Sequence, residues 1–309
     1  MKTLAAAGEN AIVKRLRAML PGRRDLKRGA GDDCAVVSAC GRGFDLLLTS
    51  DPVIEGVHFS RESPDAAVGH KALGRVLSDI AAMGGEPLWA LIDVVAPPGC
   101  RQSRITGIYR GLARTARRWN VAIAGGDLAR GPCLELHAFC VGRVPSGRSA
   151  LRSGARPGDL IGVTGRLGGS PLGRHLRFEP RLAEGAWLRD RVSAMMDLSD
   201  GLATDLPRLL EESRAGAVLD AATIPVSAAA RRAGGGMLPL SHALCDGEDF
   251  ELLFTVRREK APALIAGWKR RFKVPCTLIG KITARPGAVE LETGQGRRFL
   301  SETGYEHFS

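Results

Sequence analysis

Aromatic residues supply only 5% of this 309-residue chain. No apolar run reaches the roughly 20 residues that a membrane-spanning helix needs. The opening MKTLAAAGENAIVKRLRAML has too short an apolar core for a signal peptide, and Glu9 and Asn10 interrupt it. A soluble cytoplasmic protein without a membrane partner is expected. The seven cysteines (Cys34, Cys40, Cys100, Cys133, Cys140, Cys245 and Cys276) form no C-x-x-C pair and leave one over. That argues against a disulfide framework and fits reduced thiols. Four catalytic signatures are also missing. No G-x-x-x-x-G-K-[ST] occurs, since GKIT (280–283) lacks the upstream glycine, and there is no G-x-G-x-x-G fingerprint. A G-x-S-x-G elbow and an H-E-x-x-H pair are absent too, which removes serine-hydrolase and zincin chemistry.

The charge present is mostly basic, with 44 Lys and Arg against 33 Asp and Glu, a net charge of +11. The cations are scattered, and the longest cluster is KRRFK (269–273). No basic motif interleaved with aromatics accompanies them, so no dedicated nucleic-acid partner is expected. Such a surface suits the attraction of phosphorylated small molecules. Apolar content of 44% and 39 glycines describe a globular chain rich in turns and close backbone approaches.

Apolar residues at helix spacing over 9–20 predict a surface helix resting on a core. FDLLLTSD (44–51) reads as a buried strand whose tip delivers Thr49, Ser50 and Asp51. Residues 63–85 read as a helix with Ser63 as N-cap, Pro64 at the first position and a stop at Gly84-Gly85. Its buried stripe comprises Val68, Ala72, Leu73, Val76, Leu77 and Ile80, with Asp79 at the edge. Strands are expected at 88–96, 120–124 and 134–144. After a Gly-, Ser-, Arg- and Pro-rich linker (145–159) come strands at 160–165, 250–256 and 276–283, and a helix over 198–213 opening near Ser199. The pattern predicts two α/β (α+β) domains, 1–147 and 148–309.

The acidic residues are placed unusually for so basic a chain. GDD (31–33), TSD (49–51), LSD (77–79), GGD (125–127) and MMDLSDGLATDL (195–206) each put aspartate beside Ser, Thr or Gly where an apolar segment ends. One such aspartate is ordinarily a turn former or cap. If Asp33, Asp51, Asp79, Asp127, Asp197 and Asp200 converge, each pair about 4 Å apart repels by roughly 4 kcal/mol at an effective dielectric near 20. The conflict is relieved by protonation or by cations. The available ligands, these carboxylates with Thr49, Ser50 and Ser199, are all oxygen, which favours Mg²⁺ or Ca²⁺ over Zn²⁺.

GAGDDCAVV (29–37), TSDPVIEGVHF (49–59), KALGRVLSDIAAMGGEP (71–87), AIAGGDLARGP (122–132), MDLSDGLATDL (196–206) and GEDFELLFTV (247–256) occur in an order and spacing that resemble the thiamine-monophosphate kinase family. The resemblance runs from about residue 8 to the closing GYEHF (304–308). It implies the two-domain aminoimidazole ribonucleotide synthetase-like fold, with an N-terminal ATP- and Mg²⁺-binding domain that pairs with a second subunit to form a homodimer. It also implies a C-terminal domain closing the cleft. The implied reaction transfers a phosphoryl group from ATP to thiamine monophosphate in line, giving thiamine diphosphate, with several Mg²⁺ ions and no protein nucleophile. The resemblance assigns Asp33, Thr49, Ser50, Asp51, Asp79, Asp127, Asp197 and Asp200 to metal. Gly126, Arg152 and Ser199 go to ATP, and His58, Glu248 and Tyr305 to the thiamine substrate. Departures from the family pattern are Leu128 and Ala129 in place of hydroxyl residues, Asp246 in place of glycine beside the expected thiamine pocket, and Val76 in place of asparagine. Two alternatives stand beside this reading, a superfamily relative acting on another phosphate acceptor and a catalytically silent nucleotide-binding regulator.

Overall fold

Alternating side chains along FDLLLTSDPVI form β3 (Phe44–Ile54), which buries Leu47 and Val53 on one face. The computed structural model describes residues 3–39, 41–233 and 236–306. Strand β3 pairs antiparallel along its whole length with β7 (Glu135–Pro145), from Phe44 opposite Pro145 to Ile54 opposite Glu135. Around this pair lie β1 (Leu26–Arg28), β2 (Ala35–Ser38), β4 (Glu86–Ala96) and β5 (Ala122–Gly125), in the order β1-β2-β3-β7-β4-β5. A short β6 (Leu128–Arg130), which the sequence pattern does not announce, also pairs with β4. The second sheet runs β14-β13-β10-β12-β8-β11-β9. Its strands are β8 (Leu160–Thr164), β9 (Ala194–Asp197), β10 (Gly216–Asp220), β11 (Leu252–Val256), β12 (Cys276–Thr283), β13 (Val289–Thr293) and β14 (Gly296–Phe299). The result is the expected α/β (α+β) architecture with two mixed sheets.

Helices α1 (Leu4–Ala7) and α2 (Glu9–Arg17) precede the first sheet, and α3 (Asp65–Ala82) and α4 (Gln102–Arg118) lie within its segment of the chain. The second half carries α5 (Leu182–Leu188), α6 (Leu202–Ser213), α7 (Ala228–Arg232), α8 (Pro239–Cys245) and α9 (Ala261–Arg271). Helix α3 buries the stripe expected of it, with Val68, Ala72, Leu73, Val76, Leu77 and Ile80 all withdrawn from solvent. It packs on β3 and β7, against α4, and across the seam on α5 and β9 of the second half. The seam has its own apolar cluster, in which Ala82 and Ala150 meet Leu188, Met195, Phe254 and Trp268. The opposite face of the first sheet leaves Leu48, Trp89, Leu91 and Phe139 exposed.

Three local expectations change. The apolar residues of 9–20 do not rest on a core: Val13, Leu16, Met19 and Leu20 are exposed. Helix α2 is instead tied to α6 by ion pairs, Arg17 to Glu212 at 2.9 Å and Lys14 to Glu211. Ser63 does not cap α3, because its hydroxyl accepts the Ser60 N–H at 3.1 Å and so closes a turn one step earlier. Helix α6 begins at Leu202 rather than near Ser199, which leaves 198–201 as a loop at the mouth of the seam.

The α3–α4 contact depends on two glycines. A Cβ on Gly69 would lie 2.0 Å from the Ile108 carbonyl oxygen, and one on Gly111 would lie 2.0 Å from that of Ala66. Both neighbours are backbone and cannot rotate away. Gly111→Ala should therefore push the helices apart and destabilise the protein by about 1–3 kcal/mol, read as a lower urea midpoint. An unchanged midpoint would show that this contact does not fix α3.

Candidate active site

Helix α3 turns Lys71, Arg75, Ser78 and Asp79 toward the seam, residues at helical neighbour spacing on one face. Asp79 accepts a hydrogen bond from the Thr49 hydroxyl on β3. Beside it come Asp33, from the loop before β2, and Asp197, the last residue of β9. Ligand atoms of Asp33, Asp79 and Asp197 all lie within 4.8 Å of one another. Burial, then Asp51, Asp197 and Asp33, push the Asp79 carboxyl well above the usual carboxylate range. Burial and Asp33 do the same to Asp197, against the Ser78 hydroxyl that donates to it at 2.6 Å. Asp33 receives the Arg152 guanidinium at 2.6 Å through Oδ1, while its Oδ2 is buried without a hydrogen-bond partner. Three converging carboxylates, one oxygen of them left bare, form an oxygen-only centre of the kind that binds a hard divalent cation.

A cavity of about 660 Å³ opens next to this centre, with His58, Arg75, Ser199, Asp200, Glu248 and Tyr305 in its wall. Phe59, Leu172 and Leu176 add apolar surface. Glu248 is held in the left-handed backbone region at φ 63°, an uncommon conformation for a residue with a Cβ. Its N–H donates to the Ser199 carbonyl at 2.6 Å, which fixes the turn that aims the carboxylate. Burial opposes its ionisation, but contacts from His175 and Lys71, with Arg75 nearby, outweigh that and hold its pKa down at about 2. Lys71 is fully buried and donates to Glu248 Oε2 at 2.7 Å and to the His58 carbonyl. Burial lowers its pKa to about 8 against the pull of Glu248. The C-terminal segment enters by a close approach: Tyr305 N–H donates to the Asp200 carbonyl at 3.0 Å, and a Cβ on Gly304 would lie 2.0 Å from that oxygen.

The residues singled out by sequence thus fall into groups. Asp33, Asp79 and Asp197 converge, with Thr49 bonded to Asp79 and Asp51 close enough to perturb it. His58, Ser199, Asp200, Glu248 and Tyr305 share the cavity. Asp127 and Gly126 sit exposed between β5 and β6, outside the three-acid cluster. Ser50 is exposed and, by strand alternation, lies on the face of β3 opposite Thr49 and Asp51. Sequence reasoning missed Lys71, Arg75 and His175. The signal for the first two was available, because Lys71, Arg75 and Asp79 recur every four residues in a helix otherwise almost wholly apolar.

Residues 31–144 match the family model for the N-terminal domain of AIR synthase related proteins, and residues 156–291 match that for the C-terminal domain. A thiamine-monophosphate kinase of Rhodopirellula baltica is 42% identical over 273 residues, covering 84% of each chain. That of Escherichia coli K12 is 34% identical and covers 98% of this chain and 99% of its own. The chain belongs to the thiamine-monophosphate kinase family. A solved structure described as AaThiL complexed with AMPPCP and TMP superposes with a TM-score of 0.87 at 28% identity, covering 99% of both chains.

Within this family the departures are structurally quiet at two positions. Asp246 does not bring free charge to the cavity: it accepts the Gly169 N–H at 2.6 Å and pairs with His242 at 3.0 Å. Val76 is buried in the first core. Leu128 is exposed at the sheet edge.

Behind Asp200 lies the fully buried Asp205, which accepts the Asp200 N–H at 2.9 Å and pairs with Arg208 at 3.0 Å. Burial, with Asp200 adding to it, raises its pKa to about 7 against these partners. The folded state then holds a proton that the unfolded chain has released, between the ordinary value of 3.8 and about 7. Stability from this group therefore falls as pH rises through that window and is level above it. Asp205→Asn should gain on wild type progressively from about pH 4 to pH 7 in thermal unfolding, with no further gain above. A difference independent of pH would refute the buried, protonated Asp205.

Proposed function

We propose that this protein phosphorylates thiamine monophosphate to thiamine diphosphate with ATP, by direct in-line transfer at the seam between its halves. The observation that carries the reading is the placement of a cavity lined by His58, Glu248 and Tyr305 against three convergent carboxylates. Membership of the kinase family and a near-complete superposition on a relative described as holding AMPPCP and TMP support it.

The donor set fits Mg²⁺: every candidate ligand is oxygen, and Asp33 Oδ2 is a buried acceptor without a partner. Asp33, Asp79 and Asp197 would hold one ion, with Thr49 and Asp51 beside them; of the several ions expected, the others would draw on Asp127, Asp200 and Ser50, which lie outside this cluster. When bound, Mg²⁺ supplies the positive charge that lets two phosphate-bearing substrates approach. Arg152, Ser199 and the Gly126 backbone would hold ATP on the side of the acids. His58, Glu248 and Tyr305 would orient the thiamine moiety, Glu248 meeting its cationic ring with a carboxylate kept ionised by Lys71 and His175. No side chain need become covalently attached, so catalysis rests on positioning and charge neutralisation.

The same reading assigns 1–147 to ATP and Mg²⁺ binding and to dimerisation, and 148–309 to closing the cleft, in a cytoplasmic homodimer. The open face bearing Leu48, Trp89, Leu91 and Phe139 supports the pairing surface. No helix among the described residues is long and apolar enough to cross a membrane.

Mixing the protein with Mg²⁺, ATP and thiamine monophosphate should give thiamine diphosphate and ADP in equal amounts by phosphorus NMR, and EDTA should stop it. ADP without thiamine diphosphate would mean another acceptor, and nucleotide binding without turnover a regulator. Asp79→Asn should lower turnover at least about a hundredfold. It should leave the metal-free protein as stable as wild type or more so, because it removes one of the mutually repelling acids. Turnover near wild type would reject the metal assignment.

A further inference from the structure

Three arginines each sit on one of the site's acids: Arg152 on Asp33, Arg208 on Asp200, and Arg75 on Asp51. Of the three, only Arg75 lines the cavity. Its side chain is 11% exposed, and its contacts are loose for a guanidinium: 3.2 Å to Asp51 Oδ1 and 3.6 Å to Glu248 Oε1. Charge-assisted pairs close at about 2.7–2.9 Å, and Arg152 reaches Asp33 at 2.6 Å. The Arg75 Nε–H is buried with no hydrogen-bond partner. A buried donor left unmatched beside an open cavity is satisfied by an acceptor that enters the cavity. The planar fork of arginine matches a phosphate through two N–H groups at once.

We infer that Arg75 is the phosphate-holding residue of the acceptor side, receiving the monophosphate of the substrate between Asp51 and Glu248. This rests on the kinase reading above and adds to it the one Lys or Arg among the described residues that line the cavity, set against the charged part of the acceptor. His58, His175, Glu248 and Tyr305 include no obligate cation, His175 is engaged by Glu248 at 3.1 Å, and Lys71 is fully buried and absent from the cavity wall. The guanidinium also serves as counter-ion to Asp51. A cation taking Asp51 would release it toward the phosphate, so Arg75 and a divalent cation compete for Asp51.

The test is calorimetric binding in Mg²⁺ without nucleotide, comparing thiamine monophosphate with thiamine on wild type, Arg75→Gln and Arg75→Lys. Arg75→Gln should weaken thiamine monophosphate by at least about tenfold and leave thiamine within about twofold. Arg75→Lys, which keeps the charge and loses the fork, should fall between. Metal titration should show Arg75→Gln binding Mg²⁺ more tightly than wild type, because the counter-ion of Asp51 is gone; binding no tighter overturns the competition for Asp51. Should Arg75→Gln not fold, Arg75→Lys carries the test, and equal weakening of both ligands overturns the assignment. Wild-type protein that makes thiamine diphosphate beside an Arg75→Gln variant with unchanged phosphate selectivity overturns the Arg75 assignment alone. Wild-type protein that makes none overturns the kinase reading and the assignment with it.

Discussion

Mutual repulsion among carboxylates withdrawn from water is the constraint around which the rest of this protein is arranged. Asp33, Asp79 and Asp197 cannot all be charged and unpartnered at such short range. The fold answers in three ways. It lets Asp79 and Asp197 keep protons, their pKa values driven up by burial and by one another. It supplies hydroxyls, Thr49 to Asp79 and Ser78 to Asp197. It also rings the cluster with guanidinium groups on Asp33, Asp51 and Asp200. None of these removes the conflict at Asp33 Oδ2, which remains buried and bare. That bare oxygen is the one part of the cluster the fold leaves uncompensated.

Helix α3 is the element that makes this possible. One face is apolar and locked to the first sheet and α4, the latter through the Gly69 and Gly111 contacts. The other carries Lys71, Arg75, Ser78 and Asp79 in sequence along the seam, so one rigid rod spaces the acid centre from the Glu248 carboxylate. Buried Lys71 pairs with Glu248 across the halves, and loss of either partner would strand a charge. The pKa values of the two both move down, for different reasons. Burial disfavours both charges, and only the carboxylate has enough partners to overcome it.

Much of this was legible in the chain itself. The apolar stripe of α3 and most of the strands follow from periodicity, and the acids that end apolar segments mark the site. What stayed hidden has physical reasons. The exposed Val13, Leu16, Met19 and Leu20 have helix spacing, but periodicity gives a face and not what covers it. Asp246 looks like added charge until the Gly169 N–H and His242 are seen to consume it. Ser50 shares a motif with Thr49 and Asp51, yet strand alternation sends it to the opposite face. Lys71 and Arg75 were passed over because the reading of α3 counted apolar residues, whereas the charged row on its other face holds the site together. Tyr305, far along the chain, reaches the cavity only because Gly304 allows its backbone to touch that of Asp200.

The acid centre also bears on how the two halves stay together. Asp33 and Asp79 belong to the first half and Asp197 to the second, so their repulsion acts across the seam. Against it stand the apolar cluster of Ala82, Leu188, Phe254 and Trp268 and the cross-half pairs Arg152–Asp33 and Lys71–Glu248. A ligand that touches acids from both halves would add its binding free energy to the stability of the joined halves. The seam thus joins a cavity shaped by packed side chains to an acid centre held together by protons, hydroxyls and guanidinium groups.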